Sequence, residues 1–156
     1  MNYSQLFRLD GKVALITGCR KGLGREIAKG LAEQGVSLVL SSRHHPEETI
    51  EEINKIGAPC ISVTADISEE LDVRDLSERS IAKFGKVDIL INNAGISQLE
   101  YRPSQDASIQ EWDRVIDVNL RGTFLCCKYI GKHMIEAGNG RIVNIASTAG
   151  MGAVPR

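Results

Sequence analysis

The chain has 156 residues, 42% of them hydrophobic and 25% charged, with a formal net charge of −1. That size suits one compact domain with a real core, or part of a larger one. The near-neutral balance gives no global basic field for nucleic acid or an acidic membrane.

The four cysteines, Cys19, Cys60, Cys126 and Cys127, form no CxxC or Cys/His ligand pattern. They read as reduced thiols in a reducing compartment. The start, MNYSQLFRLD, lacks the apolar core of a signal peptide, and no apolar run approaches a membrane span. The expectation is a cytoplasmic protein.

In chain order, short β-branched runs alternate with helical stretches. Residues 12–17 (KVALIT) are a nearly continuous apolar run, the mark of a strand buried on both faces. A glycine-rich turn follows, and Gly24 opens a helix whose apolar stripe is Ile27, Ala28, Leu31 and Ala32, with Gly35 as its stop. Residues 36–41 are a second strand. PEETIEEINKIG is a helix with Pro46 in its first turn and Gly57 at its end. Residues 60–65 are a third strand. Residues 69–84 form a helix with Leu71, Leu76 and Ile81 near one face, and residues 87–91 are a fourth strand. Ser108-x-x-Glu111 is a capping box that starts one long helix reaching about Ala137, with Gly138 and Gly140 as stop signals. Residues 141–145 are the fifth strand. The alternation with short connections implies a parallel sheet covered by helices on both faces.

The loop TGCRKGLG lies between the first strand and the first helix, with Gly18, Gly22 and Gly24 spaced GxxxGxG. Gly18 allows the tight turn, Gly22 removes a side chain where a pyrophosphate approaches the backbone, and Gly24 permits close packing of helix on strand. The helix N-terminus offers unpaired N–H groups to an anion. At the end of the second strand, SLVLSSRHH carries no acid to hold a ribose 2′-hydroxyl. Ser42 stands there, Arg43 follows, and Lys21 faces the same corner from the loop. Two cations and no carboxylate suit a 2′-phosphate, so NADP(H) is favoured over NAD(H). His44 and His45 have no other ligands nearby in sequence and read as loop residues, so no metal is expected.

Five motifs in register carry a family resemblance: TGCRKGLG, Asp66-Ile67 after the third strand, NNAG at residues 92–95, Asn119 in VIDVNLRGTF, and GRIVNIAS ending at Ser147. From about Leu9 onward the chain resembles the N-terminal part of a short-chain dehydrogenase/reductase. In general look it is similar to gluconate 5-dehydrogenase-like members and to 3-oxoacyl-acyl-carrier-protein reductase-like members alike. The resemblance implies a Rossmann-like, doubly wound parallel sheet with strand order 3-2-1-4-5. It implies that the loop from Gly18 to Gly24, with Arg20, Lys21, Gly22 and Leu23, cradles a pyrophosphate. Asp66 and Ile67 would hold the adenine, and Asn93, Ala94 and Gly95 would line the adenosine ribose. Asn119 would hold a water that relays protons, and Ser147 would position the substrate carbonyl or hydroxyl. Full-length relatives are expected to be homo-oligomers acting on small carbonyl or alcohol substrates.

The chain also departs from that pattern. The family's general acid/base is a tyrosine in Tyr-x-x-x-Lys, whose lysine lowers a phenol pKa that is ordinarily about 10. Tyr3, Tyr101 and Tyr129 are the tyrosines here, and Lys132 follows Tyr129 one residue too early. The family places its tyrosine a dozen or so residues after the serine, beyond Arg156. Two readings stand. The 156 residues are the cofactor-binding part of an oxidoreductase, cut before the catalytic segment, or they are a naturally short nucleotide-binding relative without catalysis. On the first reading the fifth strand is an exposed apolar edge, and the long-helix face bearing Phe124, Leu125 and Tyr129 lacks a partner. In the loop ISQLEYRPSQDAS, Glu100, Tyr101 and Arg102 read as solvated.

Overall fold

The structure, a computed structural model, describes residues 7–98 and 103–151. Its elements are β1 (Val13–Thr17), α1 (Gly22–Glu33), β2 (Ser37–Ser42), α2 (Glu47–Ile56), β3 (Cys60–Thr64), α3 (Glu70–Phe84) and β4 (Ile89–Asn92). They continue with α4 (Ile109–Ile116), a π-helical segment (Asp117–Gly122), α5 (Thr123–Glu136) and β5 (Arg141–Asn144). The strands form one sheet in the order β3-β2-β1-β4-β5, and every pairing is parallel. The expected Rossmann-like order is borne out. Glu100, Tyr101 and Arg102 lie outside the described residues.

The side-chain alternation of β1 sorts the core into two layers. Ala14 and Ile16 point with Leu38 and Leu40 toward Ala28 and Ala32 of α1 and Ile53 of α2. Val13 and Leu15 point with Val39 and Leu90 toward Val73 and Leu76 of α3 and Leu125 and Ile130 of α5. Every residue of β1 is buried, as a run apolar on both faces requires. Each fully buried aliphatic side chain contributes about 1.5–3 kcal/mol.

Three details differ from the sequence pattern. The expected single helix after Ser108 runs without a break to Glu136 but is not uniform. Its cap forms as anticipated, with Ser108 Oγ accepting from the Glu111 N–H at 3.3 Å. The interior, however, widens into a π segment at Asp117–Gly122. Leu71 is 76% exposed while Leu76 is fully buried, because the buried face of α3 is Val73, Leu76, Ser77 and Ser80 and Leu71 lies on the opposite side of the helix. Leu125 is buried in the core, and Tyr129 packs against the same cluster. Of the three residues expected to lack a partner, only Phe124 is broadly exposed. On β5, Ile142 and Val143 are 42% and 45% exposed, as an uncovered edge strand would be.

The starts of the strands meet at one carboxylate. Asp88, 7% exposed, accepts from the Val13 N–H at 2.9 Å, from Lys86 Nζ at 3.0 Å and from Asn139 Nδ2 at 3.4 Å. Lys12 Nζ lies 3.5 Å away. Its backbone joins in: the Asp88 N–H donates to Val13 O, and Arg141 N–H donates to Asp88 O. Burial pushes the Asp88 pKa up, but the Lys86 and Val13 hydrogen bonds and the two ammonium charges outweigh it. The net pKa falls below the ordinary 3.8. A depressed carboxylate pKa contributes stability above the unfolded-state value and loses it as pH falls through the folded one. Asp88→Ala should therefore cost about 1–3 kcal/mol near neutrality, through the orphaned Val13 N–H and the lost charge pairs. Urea denaturation across a pH series should show this gap shrinking below pH 3.8.

Candidate functional site

All five strands run the same way, so their C-terminal ends share one edge of the sheet. The loops leaving β1, β2, β3 and β4 surround an open cleft of about 920 Å³. Parallel α/β sheets bind ligands at this edge.

The floor of the cleft is the β1–α1 loop. Gly18 has φ +68° and lies so near the β4 end that a Cβ would come within 2.7 Å of Ala94 Cα. Gly22 has φ +60° and nothing within 4 Å of where its Cβ would stand. That gap leaves the backbone approachable from the cleft. Gly24 lies beneath the loop, outside the lining. A Cβ there would fall 2.5 Å from both Gly18 O and Asn93 Nδ2. Lys21 precedes α1 without a side-chain capping bond, so the helix directs uncapped N–H groups and a partial positive charge at the cleft.

The β4 end fastens this loop. Thr17 Oγ1 accepts from the backbone N–H of Asn93 at 3.1 Å and of Ala94 at 3.0 Å. Asn93 Nδ2 donates to Thr17 O at 3.0 Å and to Gly18 O at 3.1 Å. Gly18, Arg20, Lys21, Gly22 and Leu23 line the cleft together with Ser42, Arg43, Asp66, Ile67, Asn93, Ala94 and Gly95. The structure thus brings twelve of the thirteen expected cofactor residues around one space, with Gly24 supporting from below.

The walls differ in detail from the expectation. Ser42 Oγ turns inward and donates to His44 O, shaping the β2–α2 corner, while Arg43 is exposed at the cleft. One oxygen of Asp66, Oδ1, accepts from Ser68 N–H at 3.0 Å and Ser68 Oγ at 2.7 Å. That carboxylate therefore organises the turn into α3 as well as facing the cleft. Asn119 lies in the π segment. Its Oδ1 accepts from Ile96 N–H at 2.9 Å and its Nδ2 donates to Ile96 O at 2.8 Å, tying down the loop after NNAG. A water held at Asn119 must therefore compete with Ile96 or use its backbone. Ser147 stands at the same sheet edge beyond β5 but outside the lining. It is exposed, and among the described residues its hydroxyl accepts a local bond from Ala149 N–H at 3.2 Å.

Several lining residues were not singled out individually from sequence, Ser41, Ile96, Arg114 and Val118 among them. Ser41 reaches the cleft edge, and its buried Oγ has no hydrogen-bond partner among the described residues. Ile96 and Val118 add apolar wall, and Arg114 of α4 adds a cation. No sequence signal marks Arg114, because the π segment sets which face of α4 meets the cleft. The lining then carries Arg20, Lys21, Arg43 and Arg114 against one carboxylate, Asp66. The thiols are not reactive groups here: burial pushes Cys19 and Cys126 up to about 12, where the thiolate is negligible.

A glycine-floored cleft, an uncapped helix start, an orphaned buried hydroxyl and an excess of cations fit a polyanionic nucleotide. The family described as short chain dehydrogenase matches residues 12–156. The chain belongs to the short-chain dehydrogenase family. Among its relatives is the 2-dehydro-3-deoxy-D-gluconate 5-dehydrogenase of Dickeya dadantii, 44% identical over 142 residues, covering 90% of this chain and 55% of the relative. Levodione reductase superposes with TM-score 0.90 at 34% identity, over 94% of this chain and 58% of that one. NAD+-bound xylitol dehydrogenase does so with TM-score 0.89 at 34% identity, over 94% and 56%. The chain spans little more than half the length of these proteins.

The packing of this short-chain dehydrogenase's loop gives one helix two glycines of opposite character. Gly24→Ala should destabilise by about 1–3 kcal/mol, since the new methyl overlaps Gly18 O and Asn93 Nδ2. Gly30, also in α1, has nothing within 4 Å of its Cβ position. Gly30→Ala should stabilise by about 0.5–1 kcal/mol through helix propensity. Chemical denaturation of the two variants should give shifts of opposite sign.

Proposed function

We propose that the protein is an NADP(H)-dependent oxidoreductase that interconverts a carbonyl and a secondary alcohol, on a sugar-acid or 3-oxoacyl type of substrate, in the cytoplasm. The 156 residues supply the cofactor-binding part, and the catalytic tyrosine and lysine belong to a further segment. The observation that carries this reading is the cleft itself, with four cations, one carboxylate and no acid at the end of β2. The sugar-acid class draws support from the gluconate-type relative. The separate catalytic segment draws support from the absence of Tyr-x-x-x-Lys in the sequence and from the partial coverage of relatives.

In this reading the residues divide the work by position. The loop from Gly18 to Gly24 receives the pyrophosphate against the N-terminus of α1. Lys21 and Arg43 neutralise a 2′-phosphate, and Ser42 shapes the corner that presents Arg43. Asp66 and Ile67 take the adenine, and Asn93, Ala94 and Gly95 take the ribose. When bound, the nicotinamide supplies or accepts the hydride. Ser147 holds the reacting oxygen, and Asn119 serves a proton-relaying water. Without the phenol and its lysine, the 156 residues bind cofactor and turn over little substrate. The exposed Trp112, Leu120 and Phe124 support assembly with a second copy in the whole protein.

Fluorescence titration tests the cofactor preference. NADPH should bind more tightly than NADH. Arg43→Ala should weaken NADPH about ten-fold, by loss of one charge-assisted contact, and leave NADH nearly unchanged. Equal affinities for the two nucleotides in the unaltered protein would sink the 2′-phosphate assignment.

An activity assay tests the division of labour. The 156 residues should show negligible reduction across a ketone panel. Substantial turnover abolished by Ser147→Ala would show that no tyrosine from a further segment is needed.

A further inference from the structure

The four consecutive carbonyls of the glycine loop, from Thr17 to Arg20, are all held by side chains from elsewhere. Asn93 takes those of Thr17 and Gly18. The other two are taken through α2, an element with no assigned part in the cleft. Thr49 Oγ1 donates to Cys19 O at 2.8 Å and lies 3.4 Å from Arg20 O. Arg25 Nη2 donates to Arg20 O at 2.8 Å while pairing with Glu48 Oε2 at 2.6 Å. Thr49 is fully buried. A threonine in the first helical turn ordinarily spends its hydroxyl on a local backbone group. Here the hydroxyl crosses to another loop instead.

An anion is held by N–H groups and repelled by carbonyl oxygens. In a loop with two glycines at positive φ, a peptide plane can rotate and exchange one for the other. The side-chain donors oppose that rotation at each carbonyl in turn. The link also has a second end. Thr49 stands three residues after Pro46, so α2 connects the Cys19–Arg20 peptide to the β2–α2 corner bearing Arg43.

We propose that Thr49 is a positioning residue of the phosphate-binding loop. Its hydroxyl turns the Cys19 carbonyl away from the cofactor's pyrophosphate, and Arg25, held by Glu48, does the same for Arg20. This proposal rests on the nucleotide-binding function proposed above.

The test compares Thr49→Val, which removes the hydroxyl at nearly constant volume, with Thr49→Ser, which keeps it. Calorimetric titration uses NADPH, NADH, and adenosine 2′-monophosphate as a probe without the pyrophosphate. Thr49→Val should weaken both dinucleotides about ten-fold, the cost of one buried hydrogen bond, and change adenosine 2′-monophosphate less than about two-fold. Thr49→Ser should bind all three as the unaltered protein does. Unchanged dinucleotide affinity in Thr49→Val overturns the proposal. So does a parallel loss for all three ligands with a lowered melting temperature, which marks a packing role alone. Should Thr49→Val fail to fold, Arg25→Met decides, with the same selective loss of dinucleotide affinity expected and its absence overturning the proposal. Failure of the folded, unaltered protein to bind any of the three ligands removes the nucleotide-binding function itself. Normal binding there with no effect of either variant removes only the latch.

Discussion

The Thr17 hydroxyl and the Asn93 amide hold the cleft together. Thr17 Oγ1 receives two backbone N–H groups from the β4 end, and Asn93 Nδ2 returns to two carbonyls of the β1 end. These groups are at most partly accessible, so leaving any of them unpaired would cost a large fraction of a hydrogen bond's full desolvation penalty. The exchange locks the ends of two neighbouring parallel strands in register. Gly18 then lies against Ala94 and Gly24 against Asn93, at distances that only glycine tolerates. The open floor at Gly22 and the uncapped start of α1 are set by the same tie.

The opposite end of the sheet is organised on a different principle. Asp88 gathers charged and backbone donors around one carboxylate, whereas the tie between the β1 and β4 ends at the cleft uses neutral amides and hydroxyls. A carboxylate hub at the cleft would oppose an anionic ligand. At the far end it neutralises Lys12 and Lys86 and fixes where β1, β4 and β5 begin. The carboxylate hub thus stands at the end of the sheet away from the cleft, whose lining carries more cations than carboxylates, an asymmetry that a net charge near zero conceals.

The strands were legible because a strand buried on both faces shows as a short apolar run, and βα alternation implied a parallel sheet; the strand order came from the family resemblance. The glycine loop was legible for a related reason: positive φ and close approach leave a residue type as their trace. Relations between distant side chains leave no such trace. Thr49 reads as an ordinary residue of an amphipathic helix, and only the fold shows its hydroxyl meeting Cys19 O. The π segment was hidden because its cause is tertiary. Asn119 is drawn to the Ile96 backbone, and Gly122 packs where a Cβ would fall 2.7 Å from Ile67 Cγ1. The widened turn shifts the phase of α4, which is why Arg114 reaches the cleft without any periodicity announcing it. Leu71 was misplaced because its five-residue spacing from Leu76 puts the two on different sides of α3, and Val73 takes the buried place instead.

The same geometry separates binding from chemistry. Every expected cofactor residue lies between Gly18 and Gly95, on loops tied to the sheet and its helices by hydrogen bonds from Thr17, Thr49, Asn93 and Asn119. Ser147 has no comparable support. It follows an edge strand with exposed Ile142 and Val143, and among the described residues its hydroxyl meets Ala149 N–H two residues on. A substrate-positioning hydroxyl must be held to within a fraction of an ångström, and that rigidity comes from surrounding packing. The cleft takes its shape from the sheet ends together with α1, α2, α4 and the π segment. In the proposed function a cover over β5 would give Ser147 its fixed position, so cofactor affinity should survive changes on that side that abolish turnover.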